Sequence, residues 1–134
     1  MTDGTPSAPA RVVVADDDAD IRALVAIAMR RAGIELVADV STGDAALAAI
    51  REHVPDLAIL DVSMPGMTGL EVTRELRADS ALDGIRIFLL SAGVTEAAIQ
   101  AGKDAGADEY LIKPFSPREL ATRISDALTA WGNE

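Results

Sequence analysis

Two apolar runs in this chain end in carboxylates, and two more end in a serine and a lysine. Arg11 to Ala15 stops at Asp16-Asp17-Asp18, and Leu57 to Leu60 stops at Asp61. Ile85 to Leu90 stops at Ser91-Ala92-Gly93, and Glu109 to Ile112 runs straight into Lys113-Pro114-Phe115. Brought together, Asp16, Asp17 and Asp61 would repel one another and hold raised pKa values unless a cation sat among them. Mg2+ suits such a site, because it is hard, prefers oxygen, and takes one or two carboxylates while water and phosphate oxygens fill its other positions. Mn2+ is the alternative on the same oxygen donors. An aspartate can also be a nucleophile toward phosphorus. In that chemistry the cation neutralises an incoming phosphoryl group, Lys113 holds a second phosphoryl oxygen as a point charge, and the Ser91 hydroxyl holds a third. The small Ala92 and Gly93 leave room for the group to enter. Each residue alone has a plainer use, since Asp is a common turn former and an isolated lysine is usually solvated.

The elements between these residues decide whether they meet. The four runs have the length and apolar character of strands, Arg11 to Ala15 being β-branched, and Leu57 to Leu60 fits a strand buried on both faces. After Asp18 the period changes: Ile21, Leu24, Val25, Ala28 and Met29 form one apolar helical stripe, with Arg22, Arg30 and Arg31 off it. Asp17 or Asp18 is the N-cap of this helix and Gly33 its end. Glu35 to Val40 alternates as a half-exposed edge strand does. Helices are expected at Asp44 to His53, closed by Pro55, and after Thr68, with Leu70, Val72 and Leu76 facing inward. A weakly apolar helix opens at Val94 or Thr95 and stops near Gly102 to Gly106. The last helix is capped by Ser116, with Pro117 at its first position, and carries Leu120, Ile124, Ala127, Leu128 and Trp131 on one stripe. Trp131, at the end of that stripe, reads as a lid on the core.

Strand and helix alternate five times with short connections, which argues an α/β fold with helices on both faces of a parallel sheet. With an edge-like second strand, the natural architecture is a flavodoxin-like (βα)5 doubly wound five-stranded sheet in the order 2-1-3-4-5. Its switch point lies between strands one and three, so sheet geometry gathers Asp16, Asp17 and Asp61 at one crevice, with Ser91 and Lys113 on the neighbouring strands.

Composition bounds the rest. At 134 residues the chain is one domain. Its 22 Asp and Glu against 12 Lys and Arg give a net charge of −10, and no basic run could track a phosphate backbone, which argues against direct nucleic-acid binding. Without cysteine, and with His53 as its single histidine, it offers no thiolate or imidazole metal site. No apolar run approaches a membrane span, and Met1 to Pro9 lacks the features of a signal peptide, so the expected location is cytoplasmic. Residues 1–10 read as a flexible N-terminal tail, 11–131 as the domain, and 132–134 as a C-terminal tail.

Asp16-Asp17, Asp61 with Met64-Pro65-Gly66, Ser91-Ala92 and Lys113-Pro114-Phe115, each at a strand's carboxyl end and in this order, closely resemble the receiver domains of bacterial two-component response regulators. The resemblance covers about residues 11 to 131. It implies that Asp61 is the phosphoacceptor, taking its phosphoryl group from a sensor histidine kinase, a phosphotransfer protein or a small phosphodonor. It also implies that Asp17 and Asp61 ligate Mg2+ with the Ser63 backbone carbonyl, that Asp16 acts through water, and that Lys113 and Ser91 hold the phosphoryl group. Tyr110 matches the aromatic that turns inward as Ser91 moves, and the Lys113-Pro114 bond is implied to be cis. The expected output is a change in the surface formed by the fourth helix, fifth strand and fifth helix, read by a downstream effector protein. A monomer or weak dimer is expected, because the fourth helix is rich in Ala and short of charge.

Thr68 stands where receivers usually carry Asp before the Gly, and it can still cap the helix. With no effector domain after Glu134 in the sequence, the expected reading is a stand-alone receiver, and the start at Met1 argues for a native N-terminus. The alternatives are a receiver fragment of a hybrid kinase or DNA-binding regulator, or a binding module that works without phosphorylation. On this reading the protein is no enzyme in the ordinary sense, since it catalyses only its own phosphorylation and dephosphorylation. A phosphohydrolase of the haloacid dehalogenase type would need a second Asp where Ser63 stands, and a flavodoxin-type mononucleotide binder would need a less acidic first loop.

Overall fold

The computed structural model describes residues 9–93 and 95–132. Most of the expected N-terminal tail, Val94 as a helix opener and residues 133–134 lie outside the described residues. Five strands, β1 (Arg11–Ala15), β2 (Glu35–Val40), β3 (Leu57–Asp61), β4 (Arg86–Ser91) and β5 (Glu109–Ile112), alternate with five helices. These are α1 (Ala19–Ala32), α2 (Gly43–His53), α3 (Gly69–Ala78), α4 (Glu96–Ala105) and α5 (Pro117–Gly132). The sheet is parallel, in the order β2-β1-β3-β4-β5, the flavodoxin-like arrangement that the alternation implied.

Successive side chains of a strand point to opposite faces, so the central strands feed two cores. Val12, Val14, Leu57, Ile59, Phe88 and Leu90 pack under α1 and α5 with Val25, Met29, Leu120 and Ile124. Val13, Ala15, Ala58, Leu60, Ile87 and Leu89 pack under α2 and α3 with Ile50, Met64, Val72 and Leu76. Truncating a fully buried Ile or Leu here, such as Ile59, costs about 2–5 kcal/mol. Trp131 is a partial lid: its ring meets Phe88 edge-on at 6.0 Å between centroids, and the Arg86 guanidinium lies 5.0 Å from it. Among the described residues, no helix is long and apolar enough to cross a membrane.

Local chemistry sets the boundaries. The Asp18 carboxylate accepts from the Asp20 and Ile21 amides and so caps α1, while Gly33 closes it in the left-handed conformation. Thr68 and Glu71 form a reciprocal capping box at α3. Ser116 accepts from the Glu119 amide at the start of α5. One strand limit differs from the sequence reading: β4 begins one residue later, because the Ile85 amide is bonded to Leu82 in the preceding turn, and it reaches Ser91, whose carbonyl accepts from the Lys113 amide. α4 opens at a Thr95 cap and stops within the expected Gly102 to Gly106 stretch, turning off at Gly106 with φ +108°. α2 ends at His53, as expected, and its C-cap is Val54, a β-branched residue at φ +43° just before Pro55.

Candidate functional site

The crevice is built on strand ends. Asp16 follows β1, Asp61 ends β3, Ser91 ends β4 and Lys113 follows β5, and the ladder holds them in register: the Val62 amide bonds to Leu90 and the Lys113 amide to Ser91. Burial is forced by that position, since Asp16 is fully buried and Asp61 is 5 % exposed while Asp17 is exposed. One carboxylate oxygen from each of the three lies within 4.8 Å of the others.

Lys113 reaches into this cluster. Its Nζ lies 2.8 Å from Asp16 Oδ2 and donates to Asp61 Oδ1 at 3.1 Å. The contact with Asp16 is an ion pair outside hydrogen-bonding geometry, so the buried Oδ2 keeps an unfilled hydrogen-bonding valence. That orphaned oxygen, the close carboxylate trio and the all-oxygen donor set fit a small hard cation. Burial raises the Asp61 carboxyl above its ordinary value of 3.8, and the neighbouring Asp16 charge adds to it; Lys113 and the Ser63 amide pull against the shift without cancelling it. Burial alone would lower the Lys113 ammonium, but Asp16 and Asp61 outweigh it and hold the group above 10.5.

The remaining expected residues stand around this centre. Ser91 Oγ accepts from the Gly93 amide at 2.9 Å, so in this state the hydroxyl serves its own loop. Tyr110 donates to the Gly93 carbonyl at 3.3 Å, which ties β5 to that loop. Ala92 is exposed beside Ser91, and Ser63 is exposed beyond Asp61. The Lys113-Pro114 peptide is cis, as the resemblance implied. Behind the site Gly69 packs on the main chain of Asp61, where a Cβ would overlap the carbonyl oxygen.

One residue was missed. Arg22, on α1, donates to the Asp16 carbonyl at 2.7 Å and pairs with Asp39 at 2.6 Å. The sequence marked it only as lying off the apolar stripe. A cation one to two helical turns after an acidic pair was the available signal, but that signal is as common on solvated faces.

The sequence profile of the response regulator receiver domain matches residues 12–125. Over 114 residues the chain is 42% identical to the DNA-binding response regulator MtrA of Mycolicibacterium paratuberculosis, covering 85% of this chain and 49% of that protein. It is 39% identical to the phosphate regulon transcriptional regulatory protein PhoB of Pseudomonas aeruginosa over 121 residues, 90% of this chain and 52% of that one. The chain thus spans about half the length of the curated relatives it matches. Its fold superposes on the signal receiver domain of the response regulator NarL from Mycobacterium tuberculosis with a TM-score of 0.83 at 34% identity, covering 89% of this chain and 95% of that one. The chemotaxis response regulator CheY4 of Vibrio cholerae gives 0.82 at 33% identity, covering 89% and 98%. With this match over most of its length, and with the acidic crevice at the switch point of its sheet, the chain belongs to the response regulator receiver domain family.

Proposed function

We propose that this receiver is a phosphorylation switch in which Asp61 accepts a phosphoryl group, from a histidine kinase, a phosphotransfer protein or a small acyl phosphate, when Mg2+ is bound. The observation that carries the reading is the convergence of Asp16, Asp17 and Asp61 oxygens within 4.8 Å around a partly enclosed lysine. An Asp61 carboxylate oxygen attacks phosphorus as the bond to the donor's nitrogen or oxygen breaks, and the donor leaves with the electron pair. Its product is an aspartyl phosphate, returned to carboxylate and phosphate when water attacks the phosphorus. Asp17, Asp61 and the Ser63 carbonyl are the residues that would hold the cation, with Asp16 acting through water. The cation supplies charge neutralisation of the transferring group.

Lys113 starts the cycle bridging two carboxylates. When the phosphoryl group arrives its ammonium moves onto a phosphoryl oxygen, keeping one positive charge in the crevice throughout. Ser91 gives up its Gly93 bond to donate to another oxygen. Because Tyr110 bonds the same Gly93 residue, that movement is felt along β5, where the ring sits beside a groove of about 360 Å3 lined by Ile99, Gly102, Lys103, Glu109 and Ile112. The output is therefore an altered α4-β5-α5 face presented to a protein effector. The DNA-binding description belongs to the relative MtrA, of whose length the matched stretch is 49%, and a charge of −10 favours a protein partner for this chain.

Incubation with Mg2+ and acetyl phosphate, followed by intact mass, tests the reading. One added phosphoryl group is expected, absent with Asp61→Ala and absent with EDTA. A folded protein that gains no phosphoryl group from acetyl phosphate or from a panel of histidine kinases would overturn it.

A further inference from the structure

We propose that Arg22 is a positioning residue for the cation: it fixes the Asp16-Asp17 turn from the main-chain side and thereby sets the protein's Mg2+ affinity. The inference rests on the phosphoacceptor reading of the crevice. It starts from how Asp16 is held. Its amide donates to Val40 at 3.1 Å, its Oδ1 accepts from the Asp18 amide at 2.9 Å, and its carbonyl accepts from Arg22 Nη1 at 2.7 Å. Three of the four polar handles of this buried residue are thus engaged by the protein around it. The fourth, Oδ2, faces Lys113 without a hydrogen bond. Arg22 completes a frame that fixes Asp16 with its Oδ2 aimed into the crevice, where Lys113 is its ion-pair partner.

Arg22 can do this because it has two anchors. Its Nε lies 2.6 Å from Asp39 Oδ1 on β2, and the side chain is only 22 % exposed, so the guanidinium bridges the end of β1 to the neighbouring strand. A planar fork spans two acceptors at once, which an ammonium cannot do in the same way. The charge also matters. Asp16, Asp17 and Asp18 are consecutive, and a fixed cation on the Asp16 carbonyl opposes their mutual repulsion from outside the carboxylate trio. Lys113 offsets the same repulsion from inside, on the oxygens a metal ion needs. Lys113 must therefore give way when the cation enters, whereas Arg22 keeps its contacts in both states. Groups that orient metal ligands in this manner typically set affinity by about 10–100-fold.

The test uses the full chain and follows amide chemical shifts of residues 16–18 during Mg2+ titration, with thermal unfolding in EDTA recorded alongside. Arg22→Met keeps the apolar stem and removes the donors; its Kd for Mg2+ should rise about tenfold. Arg22→Lys should fall between it and the wild type. Asp39→Asn, which weakens one of the two anchors while leaving the guanidinium on the Asp16 carbonyl, should raise the Kd by less than Arg22→Met does. Arg123→Gln, which breaks the pair with Glu109 away from the crevice, should leave the Kd unchanged whatever it does to stability. If Arg22→Met unfolds the protein, Arg22→Lys carries the test, with a Kd several-fold above wild type expected. A variant at Arg22 that loses stability yet binds Mg2+ as the wild type does overturns the proposal, since a strut would behave in that way. No saturable Mg2+ binding by the wild type would instead remove the phosphoacceptor reading itself.

Discussion

Replacing Asp61 by asparagine should make the metal-free protein more stable at neutral pH. Three terms decide it. At 3.1 Å the attraction between Lys113 and Asp61 is about 5 kcal/mol at an effective dielectric of about 20. With Asp16 and Asp61 oxygens within 4.8 Å, their repulsion at that dielectric is about 3.5 kcal/mol. Burying a carboxylate that is 5 % exposed costs several kcal/mol more. Repulsion and burial together exceed the attraction and leave the ionised form disfavoured, and each kcal/mol of that difference is about 3–5 °C in Tm for a chain of 134 residues. The sign has a pH signature. A carboxyl held above its ordinary value contributes stability below 3.8 that is lost as pH rises through its folded value. The advantage of Asp61→Asn is therefore largest at neutral pH and closes toward about pH 4. Thermal unfolding in EDTA across that range measures it. Mg2+ at ten times its Kd should then raise the wild type by about 1.4 kcal/mol and the variant by less. An Asp61→Asn protein that melts lower than wild type in EDTA at neutral pH would refute the electrostatic reasoning.

Other perturbations isolate other parts of the account. Lys113→Met removes the cation from two buried carboxylates and should destabilise the metal-free protein by about 3 kcal/mol while tightening Mg2+ binding; equal Mg2+ affinity in both proteins would argue against competition for those oxygens. The Lys113 contribution is present below 10.5 and fades only as pH rises through the folded value, so this penalty should persist unchanged from neutral pH to about pH 10. Gly69→Ala places a methyl against the Asp61 carbonyl and should cost about 2–3 kcal/mol by denaturant unfolding, whereas a neutral result would mean that this main chain yields freely. Val54→Asn, at an exposed site with φ +43°, should stabilise by about 1 kcal/mol because Asn tolerates the left-handed region better than a β-branched residue; a lower denaturation midpoint would contradict that.

Much of the fold could be read directly because each local signal agreed with the global one. Val12 to Ala15 and Leu57 to Leu60 are buried on both faces and read as continuous apolar runs, while Glu35 to Val40 alternates because it lies at the sheet edge. The caps at Asp18, Thr68 and Ser116 follow from short polar side chains placed before helical stripes. The acidic trio emerged from strand order alone, since a switch point between β1 and β3 must bring their carboxyl ends together. What stayed hidden were contacts made by long cations to main-chain carbonyls of other elements and loops. Arg77, on α3, donates to the carbonyls of Gly106, Asp83 and Ile85 and pairs with Asp108, pinning α3 to the far ends of β4 and β5. Arg22 does the same for Asp16 and Asp39. Periodicity registers such residues only as polar positions, because their partners are main-chain carbonyls that carry no sequence signal. The end of α4 was legible only to within Gly102 to Gly106, since either glycine can stop a helix; the stop is Gly106, and at Gly102 the ring of Tyr110 and the Leu89 side chain pack where a Cβ would stand.

The central claim is that the phosphoryl group ends on Asp61, and reductive trapping tests it most directly. Protein treated with Mg2+ and acetyl phosphate is reduced with borohydride, which converts an aspartyl phosphate to homoserine, and the peptides are sequenced by mass spectrometry. The account predicts homoserine at position 61, dependent on Mg2+, with Asp16 and Asp17 unmodified. Homoserine at another aspartate while Asp61 stays intact, under conditions that phosphorylate the protein, would contradict it.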